Sequence, residues 1–270
     1  GVGKSLLMGM LARFVEADIF VIALIGERGR EVREFIERQL DMRRCVVVAV
    51  TADQAALLRV KGANVATAIA EYFSSQGKKV LLLIDSLTRI AQAQRDIGLA
   101  AGEVPTTKGY PPSVFRLLPS LLERCGPQGN GHGSISGIYT VLVDGDDFND
   151  PIPDATRSIL DGHIVLSRTL ANQGHFPAID INASISRVMT SIVTEQQLKV
   201  AQYFKRLIST YNENIDFIQM GTYQKGADPI LDKAIQLRDK LNGFLQQNSQ
   251  TLFSYQATID HLVKIFMSEE

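Results

Sequence analysis

Gly1-Val2-Gly3-Lys4-Ser5 opens the chain, and residues 6–14 follow it with the apolar spacing of an amphipathic helix. The opening matches the second half of the pattern G-x-x-x-x-G-K-[ST], in which backbone N–H groups at a helix N-terminus bind phosphate oxygens. In this pattern the lysine reaches the outer phosphates and the serine hydroxyl coordinates Mg²⁺. Because a short Gly-Lys-Ser stretch also occurs by chance, the rest of the chain decides its meaning. The helix directly behind it favours a phosphate-binding loop.

Apolar runs of strand length alternate with helical periods as far as about residue 190. The strand-like runs are Ile19–Ile25, Cys45–Val50, Val80–Ile84, Ile135–Val143 and His163–Leu166. The helical periods are Leu6–Phe14, Glu31–Leu40, Asp53–Phe73 and Ser113–Glu123. Strands that are apolar on both faces and alternate with helices predict an α/β fold with a mostly parallel sheet. Ligands of such a fold bind at the carboxyl ends of the strands.

Carboxylates follow two of these predicted strands. Asp85 ends the run 80–84, where a Walker B aspartate would hold the water shell of Mg²⁺; the alternative is an aspartate that caps the next helix. Glu27 lies in the segment GERGRE, residues 26–31, and a carboxylate at this edge can polarise the attacking water. The alternative is a solvated charged loop, with Glu31 stabilised in the first turn of a helix.

The composition limits the classes of function. The 270 residues are 45% hydrophobic and 21% charged, which is typical of a soluble globular protein, and the net charge of −1 argues against a nucleic-acid partner. No apolar stretch is long enough to cross a membrane, and the sequence shows no secretory leader. Because the sequence does not start with a methionine, we expect a fragment. Cys45 and Cys125 are expected to be reduced thiols, and the four histidines lack metal-ligand spacing.

The hydrophobic pattern of the sequence changes after about Thr190. Strand-like runs become rare, and apolar residues recur at helical spacing from Leu198 to Tyr211, from Ile230 to Leu245 and from Ile259 to Phe266. We therefore predict an α/β core over residues 1–190 that lacks its first strand and the start of the phosphate loop. A helical C-terminal domain follows over residues 191–270.

Several motifs resemble one family when they are taken in order. They are GVGKS, GERGREV, LLLIDSLTR, TTKGYPPSVF, GDDFNDPI, SILDGHIVLSR and HFPAIDINASISRVM. In this order they resemble the type III protein-export ATPases, and most of all their flagellar members. That family is in turn similar to the α and β subunits of the rotary ATP synthase. The resemblance implies a RecA-like P-loop ATPase core, truncated here within the P-loop, and a missing N-terminal β-barrel domain.

The resemblance assigns roles to residues around the phosphates. Lys4 and Ser5 would be the phosphate lysine and the Mg²⁺ ligand, and Glu27 would orient the water. Arg28 would contact the γ-phosphate, with Glu31 behind it. The nucleotide-binding segment would comprise Gly1, Val2, Gly3, Lys4, Ser5 and Leu6.

Four further positions match the family's motifs. Asp85 would hold Mg²⁺ through water, and Arg89 would lie near the γ-phosphate. Arg187 would be an arginine finger that reaches the neighbouring subunit's site. Phe176 stands where relatives usually carry a tyrosine packed on the adenine, and core packing is the alternative for its ring.

The resemblance also implies a function. We expect Mg²⁺-dependent ATP hydrolysis that energises export of flagellar proteins, by a cytoplasmic protein peripheral to the bacterial inner membrane. The partners would be ATP and ADP, identical subunits in a hexameric ring, export substrates and their chaperones, and stalk and regulator proteins. Alternatives are the virulence (injectisome) version of the enzyme, an RNA motor similar to the termination factor, and a regulatory subunit without turnover. Because half of the P-loop is missing, the fragment itself should bind ATP weakly.

Overall fold

The computed structural model describes residues 2–127, 129, 133–143, 145 and 149–267. The strands are β1 (Ile19–Ile25), β2 (Cys45–Val50), β3 (Lys79–Asp85), β4 (Gly126–Pro127), β5 (Ser134–Tyr139), β6 (Gly162–Leu166) and β7 (Ile179–Ser186). The α-helices are α1 (Lys4–Phe14), α2 (Gly29–Gln39), α3 (Ala56–Ser75), α4 (Leu87–Ala100), α5 (Pro112–Leu122), α6 (Pro151–Ile159), α7 (Arg168–Asn172), α8 (Met189–Ile192), α9 (Glu195–Glu213), α10 (Ile215–Gln219), α11 (Pro229–Leu245) and α12 (Tyr255–Met267).

The chain divides into two compact units. The first, here the sheet unit, is Met8–Leu160; the second, here the helical unit, comprises Gly1–Leu7 and Asp161–Glu270. This division follows contacts within the fold and does not test the predicted boundary between residues 190 and 191, which stays a prediction.

The sheet unit is built on a five-stranded sheet of order β2-β1-β3-β5-β4. Its neighbours β2, β1, β3 and β5 run parallel, and β4 pairs antiparallel with β5. The predicted α/β fold with a mostly parallel sheet is therefore confirmed. The bounds predicted for the first two strands agree with β1 and β2 residue for residue.

Both faces of the central strands are buried, as their continuous apolar sequences require. In β1, Val21, Ala23 and Ile25 pack with Ala63 and other residues of α3. Because side chains alternate along a strand, the intervening residues face the other side of the sheet. There Phe20, Ile22 and Leu24 join a cluster with Met8 and Ala12 of α1 and Val32 and Phe35 of α2. The central strands are thereby fixed, and the residues at their carboxyl ends have defined positions.

One predicted strand belongs elsewhere. The run His163–Leu166 forms β6, but β6 lies in the helical unit and pairs antiparallel with β7 in a separate two-stranded sheet. The expectation that it extends the parallel sheet is therefore wrong. A hairpin-like antiparallel pair needs no crossover helix, and β7 supplies the partner that the sequence pattern does not reveal.

Helices α9, α11 and α12 make the main core of the helical unit, as predicted for the C-terminal part of the chain. The buried residues are Phe204, Leu207, Tyr211, Ala234, Leu237, Leu241, Leu262 and Ile265. Among the described residues no helix combines the length and apolar character needed to span a membrane. Cys45 and Cys125 are both free and partly buried, which confirms the expectation of unpaired thiols.

Candidate functional site

The carboxyl ends of β1 and β3 lie side by side in the sheet unit. The two strands pair in parallel up to the register Leu24 with Asp85. The segment 26–31, which carries Glu27, begins directly after Ile25, the last residue of β1. The structure therefore brings the predicted water-orienting segment and the predicted metal aspartate to one edge of the sheet, which is where ligands of such folds bind.

Asp85 is a buried carboxylate with a hydrogen-bond donor beside it. The residue is 4% exposed, and the hydroxyl of Thr140 donates to its Oδ1 at 2.6 Å. A buried carboxylate is costly unless such bonds compensate for the lost water. Sequence analysis missed Thr140, because the predicted strand Ile135–Val143 runs through it. A polar residue near the carboxyl end of an apolar run was the available indication.

Ser86, and not Asp85, caps the helix that follows β3. The Ser86 hydroxyl accepts a hydrogen bond from the backbone N–H of Arg89 at 3.4 Å and is the N-cap of α4. This geometry removes the alternative in which Asp85 serves as the cap. The metal role of Asp85 stays a prediction.

Arg89 packs against the chain at the point where β1 ends. Gly26 has φ of +76°, and a Cβ built on it would lie 2.9 Å from Cβ and 3.1 Å from Cγ of Arg89. Only glycine adopts this backbone conformation readily while leaving room for the arginine stem. The Nε of Arg89 is buried and has no hydrogen-bond partner among the described residues. A buried guanidinium N–H at this edge of the sheet suits an anionic ligand.

Glu27 and Arg28 are held in the turn between β1 and α2. The backbone carbonyl of Glu27 accepts a bond from the N–H of Ala52 at 3.1 Å, and the residue is partly buried. The side chain of Arg28 is 85% exposed, with its Nη1 3.7 Å from Oε1 of Glu31. An ion pair that is so exposed, with its charged atoms this far apart, contributes little to the stability of the fold. Arg28 can therefore reorient toward a ligand.

The described part of the phosphate loop lies against an aromatic ring within the helical unit. Gly3 has φ of +87°, and a Cβ built on it would lie 3.6 Å from Cδ1 and Cε1 of Phe176. Phe176 is 39% exposed, and its carbonyl accepts a bond from the N–H of Gln247 at 3.0 Å. Lys4 begins α1, Ser5 and Leu6 are exposed, and Val2 is partly buried. Gly1 lies outside the described residues.

His175 precedes the Phe176 ring and is 6% exposed. Its backbone N–H donates to the carbonyl of Leu170 at 3.0 Å, and its ring Nε2 is buried without a hydrogen-bond partner in the part of the chain that the structure describes. Burial lowers the pKa of the imidazole, because the charged form loses its hydration. Burial therefore favours the neutral form of the ring.

Arg187 directly follows β7 in the helical unit. Its backbone N–H donates to the carbonyl of Asp161 at 2.7 Å, and the residue is exposed. The backbone is thus anchored while the residue remains at the surface. This arrangement is compatible with the predicted arginine finger, whose role stays a prediction.

The donor atoms present fit a magnesium ion. Mg²⁺ prefers hard oxygen ligands and is usually bound by one or two protein side chains together with substrate phosphates and water. Asp85 supplies a buried carboxylate whose orientation Thr140 restricts, and Ser5 supplies an exposed hydroxyl at the start of α1. Each of these side chains, taken within its own unit, carries an oxygen of the type that Mg²⁺ prefers.

Comparison with known proteins identifies the family. Residues 1–186 match the model of the ATP synthase alpha/beta family, nucleotide-binding domain. The chain belongs to this family. Residues 193–264 match the model of the T3SS EscN ATPase C-terminal domain.

Curated relatives carry flagellar and secretion names. The flagellum-specific ATP synthase of Bacillus subtilis (strain 168) is 55% identical over 100% of this chain and 62% of the relative. The type 3 secretion system ATPase of Pseudomonas syringae pv. syringae is 48% identical over 98% of this chain and 59% of the relative. The chain thus spans less than two thirds of the length of these relatives.

Solved structures confirm the RecA-like core with its helical end. The assembled ATPase EscN from the type III secretion system of enteropathogenic E. coli superposes with a TM-score of 0.93 at 53% identity, covering 98% of this chain and 64% of EscN. EscN in complex with its central stalk EscO superposes with a TM-score of 0.91 at 52% identity, covering 98% of this chain and 64% of EscN.

Proposed function

We propose that this protein hydrolyses Mg²⁺-bound ATP to energise protein export through a flagellar type III apparatus. The observation that carries the proposal is the edge of the sheet unit, where buried Asp85, the segment of Glu27 and Arg89 come together. Among the described residues, the Nε of Arg89 has no hydrogen-bond partner. These are the groups that phosphoryl transfer requires: a carboxylate for the metal, a carboxylate for water, and a cation for the phosphate charge. The family match supports the same chemistry.

Nucleotide binding uses the residues of the helical unit. Backbone N–H groups of the segment 1–6, Lys4 and the hydroxyl of Ser5 bind the phosphates and their metal ion. Phe176 packs on the adenine, and the contact between its ring and the Gly3 turn supports this role. Asp85 would hold the water shell of a bound Mg²⁺ ion, which would neutralise charge on the phosphate oxygens.

Hydrolysis uses the charged residues that follow the strands. Glu27 orients the attacking water and accepts its proton as the water oxygen bonds to the γ-phosphorus, while the bond from that phosphorus to the bridging oxygen breaks and ADP leaves. Arg28 and Arg89 stabilise the negative charge that accumulates on the γ-phosphate oxygens in the transition state. Arg187 supplies a further positive charge to the neighbouring subunit's nucleotide.

We propose a homohexameric ring as the working assembly. Glu27 and Arg187 belong to one chain, so each subunit can hydrolyse ATP and complete the next subunit's site. A ring of identical subunits closes this head-to-tail arrangement. The assembled state of EscN supports the ring, and the EscN–EscO complex supports a stalk partner. Export substrates, chaperones and regulator proteins complete the partners, at the cytoplasmic face of the inner membrane.

The direct test compares the full-length protein with its Glu27→Gln variant. We expect turnover to fall by roughly 10²- to 10⁴-fold, because the amide cannot accept the proton. Glu37→Gln, an exposed position in α2, is the matched control and should keep the original rate. Turnover of Glu27→Gln at the wild-type rate would remove Glu27 from the mechanism. Hydrolysis that depends strongly on added RNA would favour a nucleic-acid motor instead.

The ring is tested by co-expressing Glu27→Gln with Arg187→Ala. Each variant alone should be nearly inactive, because a finger in trans contributes about 10³-fold or more to related reactions. In a randomly mixed ring a working interface needs intact Glu27 on one side and intact Arg187 on the other, so about a quarter of the wild-type rate should return if the sites are independent. Arg187 acting within its own subunit predicts no recovery.

The flagellar assignment is tested in the source bacterium. Replacing the gene with the Glu27→Gln allele should abolish swimming and filament export while expression of the protein persists. Intact swimming together with lost secretion of virulence effectors would favour the injectisome version of the enzyme.

A further inference from the structure

Thr140 lies one residue beyond β5, at the same edge of the sheet unit as Asp85. Its hydroxyl donates to Oδ1 of Asp85 at 2.6 Å, a short bond of the kind expected between an O–H donor and a carboxylate. None of the motifs that match the family's chemistry includes Thr140. Its contact with the predicted metal aspartate gives it a candidate role in the same chemistry.

Two backbone bonds fix Thr140 relative to the turn between β3 and α4. Its N–H donates to the carbonyl of Ile84 at 3.0 Å, and its carbonyl accepts from the N–H of Leu87 at 2.9 Å. The two partners lie on either side of Asp85 and Ser86 in the sequence. Thr140 is therefore attached to both ends of the segment that carries the carboxylate.

A second pair of bonds holds the residues after Thr140. The N–H of Leu142 donates to the hydroxyl of Thr88 at 2.9 Å, and that hydroxyl donates to the carbonyl of Leu142 at 3.3 Å. The strand extension from β5 is thus joined to the start of α4. Threonine has few χ1 rotamers, so a fixed backbone also fixes the direction of its hydroxyl.

We propose that Thr140 is a positioning residue that sets the orientation of the Asp85 carboxylate toward the water shell of Mg²⁺. The inference rests on the proposed function. A carboxylate near a metal ion depends on its own hydrogen-bond partners for orientation, and loss of such a partner typically weakens metal binding. Thr140 does not touch the nucleotide in this scheme; it acts through Asp85.

The test measures how much Mg²⁺ the full-length protein needs to bind a fluorescent ADP analogue, without turnover. Thr140→Val removes the hydroxyl at nearly constant volume, and we expect it to raise the half-maximal Mg²⁺ concentration by about 10-fold. Thr140→Ser keeps the hydroxyl and should restore it to within about twofold of the wild-type value. Binding measured in EDTA should be the same for all three proteins.

A matched control separates this effect from the loss of any buried hydroxyl. Thr67 is fully buried in α3, and its hydroxyl donates to the carbonyl of Ala63 at 2.9 Å. Thr67→Val should leave the Mg²⁺ response unchanged. In an Asp85→Ala background, Thr140→Val should add no further effect, because the oxygen that accepts its hydrogen bond is gone.

Three results would overturn the inference: an unchanged Mg²⁺ response in Thr140→Val, an equal loss in Thr140→Ser, or an equal effect of Thr140→Val in the Asp85→Ala background. If Thr140→Val does not fold, Thr140→Cys replaces it under the same criteria, since a thiol is a weaker donor. A wild-type protein without Mg²⁺-dependent nucleotide binding would overturn the proposed function and this inference together. A wild type that responds to Mg²⁺, with Thr140→Val unchanged, overturns the inference alone.

Discussion

Gly26→Ala tests how closely the end of β1 and the start of α4 fit together. A Cβ at this position would lie 2.9 Å from Cβ of Arg89, a distance that carbon atoms do not tolerate. The Cβ of Arg89 is fixed by the backbone of α4 and cannot rotate away, so the strand end or the helix must shift. Overpacking of this kind costs roughly 1–3 kcal/mol. The backbone adds its own penalty, since φ of +76° disfavours alanine by about 1–2 kcal/mol.

Gly77 isolates the backbone contribution. It lies in the same sheet unit, its φ is +79°, and among the described residues no atom of a non-neighbouring residue lies within 4 Å of a Cβ built on it. Gly77→Ala should therefore lose only the backbone part, about 1–2 kcal/mol. The difference between the two variants, about 1–3 kcal/mol, measures the contact with Arg89.

The assay is urea unfolding of both variants beside the wild type, followed by ATPase rates of the folded proteins. We expect Gly26→Ala to unfold at lower urea than Gly77→Ala, and to lose turnover because Arg89 is displaced. Gly77→Ala should keep its turnover. Equal losses of stability in the two variants would show that the contact between Gly26 and Arg89 is not tight, and the reasoning would fail.

Two further predictions concern the ion pair of Arg124 with Glu71 and the effect of His175 on the pH dependence of stability. Nε and Nη2 of Arg124 donate to the two carboxylate oxygens of Glu71 at 2.7 and 2.6 Å, so a double-mutant cycle with alanine should give a coupling of about 1 kcal/mol at neutral pH. The arginine lowers the pKa of Glu71, so the coupling is present above the ordinary glutamate pKa and lost as pH falls through the lowered value; a coupling that survives in acid would contradict this. Burial lowers the pKa of His175, so the unfolded chain takes up the proton first and stability falls as pH drops below the ordinary histidine pKa of about 6.5. His175→Leu should flatten this part of the curve of unfolding free energy against pH, and an unchanged slope would refute it.

The sequence predicts the central strands well because their chemistry is unambiguous. β1 and β2 are continuous apolar runs with polar ends, and their predicted bounds agree with the structure. Helix α4 lies outside the predicted helices, since several of its buried residues are small, among them Ala91, Ala93 and Gly98. Small residues carry little hydrophobic periodicity even when they pack tightly.

The sequence predicts the location of a candidate site residue only where its position relative to a strand determines that location. Glu27 and Asp85 follow apolar strands, so parallel pairing brings them to one edge. Thr140 joins this edge through a hydrogen bond to a residue 55 positions earlier, and no local pattern reveals such a bond. The same holds for the approach of Gly3 to Phe176, which depends on the tertiary fold.

The last residue of β3 and the residue after it have different partners. Ser86 accepts the capping bond of α4, while the neighbouring Asp85 bonds to Thr140. In a saturation library of the full-length protein, substitutions at position 86 should therefore mainly lower the abundance of the protein. Substitutions at position 85 should lower protein export while the abundance stays normal. With the proposed metal role of Asp85, a substitution of this carboxylate can remove catalysis while the start of α4, which Ser86 caps, keeps its structure.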